Sequence, residues 1–366
     1  MVLLDYLKWR NDVDFYTAEF NDIDNVVLSY LAYIDFGELF GDADVPCNMD
    51  KALKQFCKKY SLDEIMENAE FTKRAPLLLE EMAGGERFRE TIIEHYMDDF
   101  DKEKTKQFAA VTFKLPNGVN YISFRGTDST ITGWKESLLM SCTSDIEGAK
   151  EAVDYLNKVA KLLKGDLIIG GHSKGGNFAM YAAAFCDDSI KKRIIKIYNN
   201  DGPGFRDEII ESQEYKQIEP KILSILPQTS IIGQLLSNRA EEKIIKSDAK
   251  GIFQHDPMTW EVTKNKFVAE ELDDFSKFVK IALGSWLEKI DDETRESVVS
   301  TVFSMIEETK AETFVEFGGS AFKNTGILIK ELAKLPKEKR KELMTAFGSL
   351  IQESGKAAFD QIQNKS

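Results

Sequence analysis

The sequence predicts an α/β fold, with a mostly parallel central sheet, an N-terminal helical segment before it and a C-terminal layer of amphipathic helices after it. Three observations predict it. Strand-like and helix-like runs alternate through the middle of the chain, the pattern of a parallel sheet covered on both faces. One such strand, Asp166-Leu167-Ile168-Ile169-Gly170, ends in Gly171-His172-Ser173-Lys174-Gly175-Gly176 and passes directly into a helix former, Asn177–Ala184. After Pro257 the strand signals vanish and apolar residues recur at helical spacing. The 366 residues, 43% hydrophobic and 30% charged, suit two domains or one large domain with an attached helical layer.

Residues 1–105 read as an N-terminal helical segment. Ile23, Val26, Val27, Tyr30, Leu31 and Ile34 fall on one helical face behind an Asn21-Asp22 cap. Pro76 to Asp101 reads as one or two further helices broken at Gly84-Gly85, which places His95 on a helix. Residues 106–265 form the expected core. Its first two strands, Phe108–Phe113 and Val119–Phe124, flank Pro116-Asn117-Gly118, a strong hairpin turn. A helix at Gly148–Leu163 follows Ser144-Asp145, with Ala152, Val153, Leu156, Val159, Ala160 and Leu163 at helical spacing. Further strands are expected at Ile194–Tyr198, Lys221–Leu226 and Lys243–Lys246. Residues 266–366 are a helical region that could serve as a lid or cap, with stripes at Leu272–Ile290, Val298–Ile306, Ile327–Leu335 and Leu343–Ile351.

Composition narrows the partners. A formal charge of −14 disfavours nucleic acid, whose phosphates call for basic patches. It also disfavours simple attraction to an anionic membrane, so membrane association is not indicated. The N-terminus, with Asp5 inside its apolar run, does not read as a secretory signal. No stretch approaches the uncharged length of a membrane span. Cys47, Cys57, Cys142 and Cys186 are scattered and read as free thiols of a reducing cytoplasm, a Cys47–Cys57 bridge being the minor alternative.

The Gly-x-Ser-x-Gly turn carries the chemistry. A glycine two residues before and two after the serine lets strand and helix pack closely around a sharp bend. Ser173 then sits at a helix N-terminus, where free N–H groups favour a developing negative charge. A nucleophilic serine needs a base, and the chain has 3 histidines. His172 neighbours the serine and reads as a packing residue beneath the turn. His95 lies before the sheet. His255, in the loop Gly251–Pro257, is well downstream of the serine, as the nucleophile–acid–histidine order of α/β-hydrolases requires. It is the base candidate. The acid is Asp201 or Asp248, with Asp201 favoured because it follows the strand after the turn helix. Asp256, adjacent to His255, is poorly placed to grip its ring. Oxyanion donors are expected from the Lys174 amide and from Thr127 in Phe124-Arg125-Gly126-Thr127-Asp128-Ser129. The Lys174 side chain is expected in solvent. No metal or cofactor is needed.

Ser123-Phe124-Arg125-Gly126-Thr127 with Trp134, and Gly171-His172-Ser173-Lys174-Gly175-Gly176, resemble the class 3 lipase pattern. In that family the residue after Arg-Gly supplies an oxyanion donor, which implies that role for Thr127, and the serine maps to Ser173. The chain resembles more closely still the bacterial Mbeg-like (lipase-like) family. That group has a similar opening, Leu4–Arg10, and a similar Asn200-Asp201-Gly202-Pro203-Gly204-Phe205 segment. The likeness covers residues 1–265 well and the tail weakly. Class 3 lipases carry their acid after the next strand, where this chain has Pro227-Gln228-Thr229-Ser230. The Asp201 segment instead resembles the acid-bearing turn of pancreatic-type lipases. An Asp that the class places three residues after the tryptophan is Ser137 here, beside Glu136. The resemblance implies a serine hydrolase of carboxylic esters, its substrate a small-molecule or lipid acyl ester. The alternative is a catalytically degenerate hydrolase-fold scaffold or binding protein.

Overall fold

The computed structural model describes residues 1–352 except 42–45, 70, 129, 144–145, 312–320, 347 and 350–351. Ser144 and Asp145, the end of the Leu343–Ile351 stripe and the Trp134 side chain lie outside the described residues. At its centre is an eight-stranded sheet whose spatial order follows the chain. Its strands are β1 (Cys47–Asn48), β2 (Ile92–Asp101), β3 (Lys106–Lys114), β4 (Asn120–Phe124), β5 (Leu167–His172), β6 (Ile194–Asn200), β7 (Ile222–Pro227) and β8 (Glu241–Ile245). β1 to β4 pair antiparallel, and β4 to β8 pair parallel. The fold is α/β with the mostly parallel sheet that the alternating pattern predicts.

Chain order decides what covers each face. Crossovers between parallel strands are right-handed, and strands that always step the same way put every crossover helix on one face. Here α8 (Glu147–Ala160), α9 (Lys174–Phe185), α10 (Asp188–Lys191), α11 (Asp207–Ile210) and α12 (Gln213–Ile218) share one apolar cluster with Ile122, Phe124, Leu167, Ile169, Ile197 and Ile222. The alternate residues Tyr121, Ile168, Tyr198, Leu223 and Ile225 point the other way. They are covered from the N-terminal part by α1 (Leu3–Arg10), α2 (Asp22–Leu31), α3 (Phe36–Phe40), α4 (Met49–Phe56), α5 (Leu62–Asn68) and α6 (Ala75–Gly84). α2 starts where expected, with the Asn21 side chain accepting from the Ile23 and Asp24 N–H groups. A buried ion pair, Arg87 with Asp24, ties α2 to the chain following α6.

Two expectations about the elements fail. Strands do not end with Pro257, since Val262–Thr263 and Lys266–Phe267 form a short antiparallel pair. The helices expected over Pro76–Asp101 end at Gly84, and residues 92–101 are strand β2. His95 is therefore on a strand, at φ 55 inside a bulge between Glu94 and Met97. The acidic run of β2 lacks the alternation of a half-buried strand because it pairs along most of β3 while staying partly exposed. Pairing with β3 overrides local propensity.

The C-terminal region begins with α13 (Asp274–Lys289) and α14 (Asp292–Glu307), followed by helices Ala321–Lys334 and 337–346. Phe303 and Ile306 of α14 pack with Ile131 of α7 (Ile131–Leu139). All four cysteines are free. Among the described residues no helix is long and apolar enough to cross a membrane.

Candidate active site

Ser173 stands between β5 and α9 in a backbone conformation that non-glycine residues seldom adopt, φ 58 and ψ −133. Its N–H donates to the Asn200 carbonyl of β6 at 2.9 Å, so the bend is pinned to the next strand. A Cβ on Gly175 would lie 2.0 Å from the Phe124 carbonyl oxygen at the end of β4. A Cβ on Gly126 would lie 2.4 Å from the His172 carbonyl oxygen, with the Ser173 Cβ at 3.1 Å. Both glycines are needed because the loop after β4 passes directly against the serine turn. That contact brings the loop carrying Thr127 up to the serine turn, from which Lys174 opens α9.

The loop is braced by contacts that the sequence did not predict. Lys174 is 1% exposed, which corrects the expectation of a solvated side chain. Its ammonium pairs with Glu136 of α7 and donates to the Gln107 carbonyl at 3.0 Å. The Gln107 N–H donates to the same carboxylate at 3.2 Å, and the Gln107 amide donates to Thr130 Oγ1 at 3.0 Å. The Thr127 and Ser137 hydroxyls are 2.7 Å apart. A desolvated charge is tolerable only with a partner. Glu136, one residue away from where the class 3 pattern has its Asp, is that partner.

Of the two acids weighed for His255, the fold brings Asp201 to it and not Asp248. Asp201 follows β6 at φ 50, is 1% exposed, and places Oδ2 at 2.6 Å from His255 Nδ1. Asp248 is exposed, and its N–H donates to the Thr259 carbonyl. Asp256 accepts from the Tyr30 hydroxyl at 2.9 Å and lies 3.6 Å from Arg74, which anchors the histidine loop to the N-terminal helices. Burial pushes its carboxyl up from the usual range. No hydrogen bond joins Ser173 Oγ to His255 among the described residues. Such contacts are often long before substrate binds.

His172 does more than pack. Its Nε2 is 2.8 Å from the His255 carbonyl oxygen, which can only accept, so Nε2 carries the proton. Nδ1 therefore accepts from the Tyr33 hydroxyl, 3.0 Å away. The two histidine rings lie 4.5 Å apart. Burial, with the His255 ring beside it, holds the His172 imidazole well below its usual range and hence neutral. Tyr33 had no sequence signal, since it follows the α2 stripe as one more aromatic.

Two outcomes follow from these buried groups. Glu136→Leu strands the Lys174 charge and should cost about 3–5 kcal/mol in urea unfolding, most of it recovered in Glu136→Leu/Lys174→Met. For His172, the unfolded chain binds a proton below about pH 6.5 and the folded chain does not, so stability falls as pH drops. Unfolding free energies at pH 7.5 and 5.5 should therefore differ by about 1 kcal/mol more in the wild type than in His172→Gln.

No curated protein matches the chain. Among solved structures it is similar to a crystal structure of M37 lipase, at 15% identity and a TM-score of 0.34 over 57% of this chain and 68% of that one. The model of the Mbeg1-like family matches residues 82–304. That is more than half of the chain, and the match takes in β2 to α14 with the serine turn, the loop after β4, Asp201 and His255; the protein belongs to the Mbeg1-like family.

Proposed function

We propose that the protein is a serine hydrolase of carboxylic esters. Ser173 Oγ attacks the ester carbonyl carbon while His255 takes its proton. His255 returns that proton to the leaving alcohol, and water then releases the acyl group by the same steps in reverse roles. Asp201 holds the imidazole in one tautomer and stabilises the imidazolium. The amides of Thr127 and Lys174 take the oxyanion. The observation that carries this reading is the 2.6 Å contact between Asp201 Oδ2 and His255 Nδ1, with the acid buried and the base side chain 17% exposed. A buried carboxylate behind an accessible imidazole, next to a serine at a strained turn, is an arrangement with a chemical use.

Support for an acyl chain comes from the apolar surface nearby. Ile252 and Phe253 are exposed in the histidine loop, and Phe71 lies against Phe253 with ring centroids 5.9 Å apart. An open groove of about 740 Å³ that begins at Tyr33 combines Leu39, Phe56 and Ile65 with Glu38, Glu64 and Lys73, and Ser173 and His255 are not in its lining. The competing reading is a hydrolase-fold scaffold, favoured by the unmade Ser173–His255 hydrogen bond.

A fluorophosphonate probe separates the two. The enzyme reading expects covalent labelling of the wild type and none of Ser173→Ala; an unlabelled wild type, or equal labelling of the variant, supports the scaffold. A series of p-nitrophenyl esters then addresses the acyl chain. Turnover should rise from acetate to medium chains, and a preference for acetate would count against a lipid substrate.

A further inference from the structure

We propose that Ser230 is the positioning residue for Asp201, and that the first C-terminal helix holds it in place. This rests on the hydrolase reading above. A carboxylate has two oxygens and rotates freely unless both are engaged. Asp201 Oδ2 faces His255, and Oδ1 accepts from Ser230 Oγ at 2.5 Å. Both residues are buried, at 1% and 0% exposure, so no bulk water substitutes for the hydroxyl. Ser230 stands after β7, the strand whose end would carry the acid in the class 3 pattern. In this chain the same place supplies a donor to an acid on the neighbouring strand.

The segment bearing Ser230 is fixed from two sides. The Ser230 carbonyl accepts from Ser276 Oγ of α13 at 2.8 Å. Thr229 Oγ1 donates to Asp273, the N-cap of α13, at 2.5 Å, and the Asp273 N–H donates to the Gln228 carbonyl at 2.9 Å. From the other side, the Thr229 N–H donates to Gln254 Oε1 at 2.8 Å, one residue before His255. Ser230 is thereby held in register with the histidine loop as well as with the helix. Its hydroxyl fixes the carboxylate rotamer and draws electron density from the carboxylate, whose Oδ2 faces His255.

The test is Ser230→Ala, checked for a wild-type melting profile and assayed with an ester that the wild type hydrolyses. Loss of one hydrogen bond to a charged group should lower kcat about 10-fold with KM unchanged. The acid limb of the kcat/KM profile reports protonation of His255, which faces Asp201, the His172 ring and Asp256 with its partner Arg74. Without the Ser230 donor, Asp201 is the stronger acceptor and favours the imidazolium, so that limb should move to higher pH. A role in stability alone would lower the melting temperature and leave the limb in place. Should the alanine variant not fold, Ser230→Cys retains the bulk with a weak donor and should move the limb the same way. A folded variant with wild-type kcat and an unmoved limb overturns the proposal while leaving the hydrolase reading intact. A wild type that takes no fluorophosphonate removes both.

Discussion

Parallel strands that advance across the sheet in chain order impose one constraint from which the rest follows. Their crossover helices land together on one face. The opposite face must be closed by residues from elsewhere, and the N-terminal segment closes it. Those helices are thus more than a cover. α2 carries Tyr30 to Asp256, and the turn after it carries Tyr33 to His172. The N-terminal segment thereby reaches the two loops on which the site is built, which come from the ends of β5 and from beyond β8.

The polar contacts under the serine form a continuous chain. The Gly126 amide interacts with the Tyr33 hydroxyl, which donates to His172, which in turn donates to the His255 backbone. One neutral imidazole therefore connects the loop after β4, the serine turn and the histidine loop. It serves because burial holds it neutral, so it offers one donor and one acceptor in fixed places. A second brace lies on the other side, where Lys174 and Glu136 tie α9 to α7. Between the two braces the Ser173 turn keeps a backbone conformation that is costly in isolation.

What was legible in the sequence is what rests on local pattern. Buried parallel strands read as apolar runs, and Ile168-Ile169 could hardly be otherwise. The Gly-x-Ser-x-Gly turn declares itself because its glycines answer a steric demand within five residues. The Asn21 cap and the Pro116-Asn117-Gly118 turn are equally local. β2 was missed because an acidic strand at a partly exposed position has no alternation to read. Lys174 was misplaced because lysine at a helix start is ordinarily solvated, and its partner is 38 residues away. Tyr33 and Ser230 carry no signal at all, since their partners are set only when distant strands meet. The choice between Asp201 and Asp248 belongs to the same kind: position in the chain favours one, and only the sheet brings it to His255.

That choice has a geometric basis. Adjacent parallel strands lie about 4.8 Å apart, so the ends of β6 and β7 offer neighbouring starting points for a side chain aimed at the same imidazole. An acid on β7 would reach across from Ser230, and one on β6 reaches from Asp201. The second route requires Asp201 to leave its strand at φ 50, with its N–H donated to the Ile225 carbonyl of β7. It also leaves the β7 position free for a donor. A carboxylate at the end of β6 therefore accepts a hydrogen bond from the segment that follows β7, and it is held from the strand beside it as well as from its own.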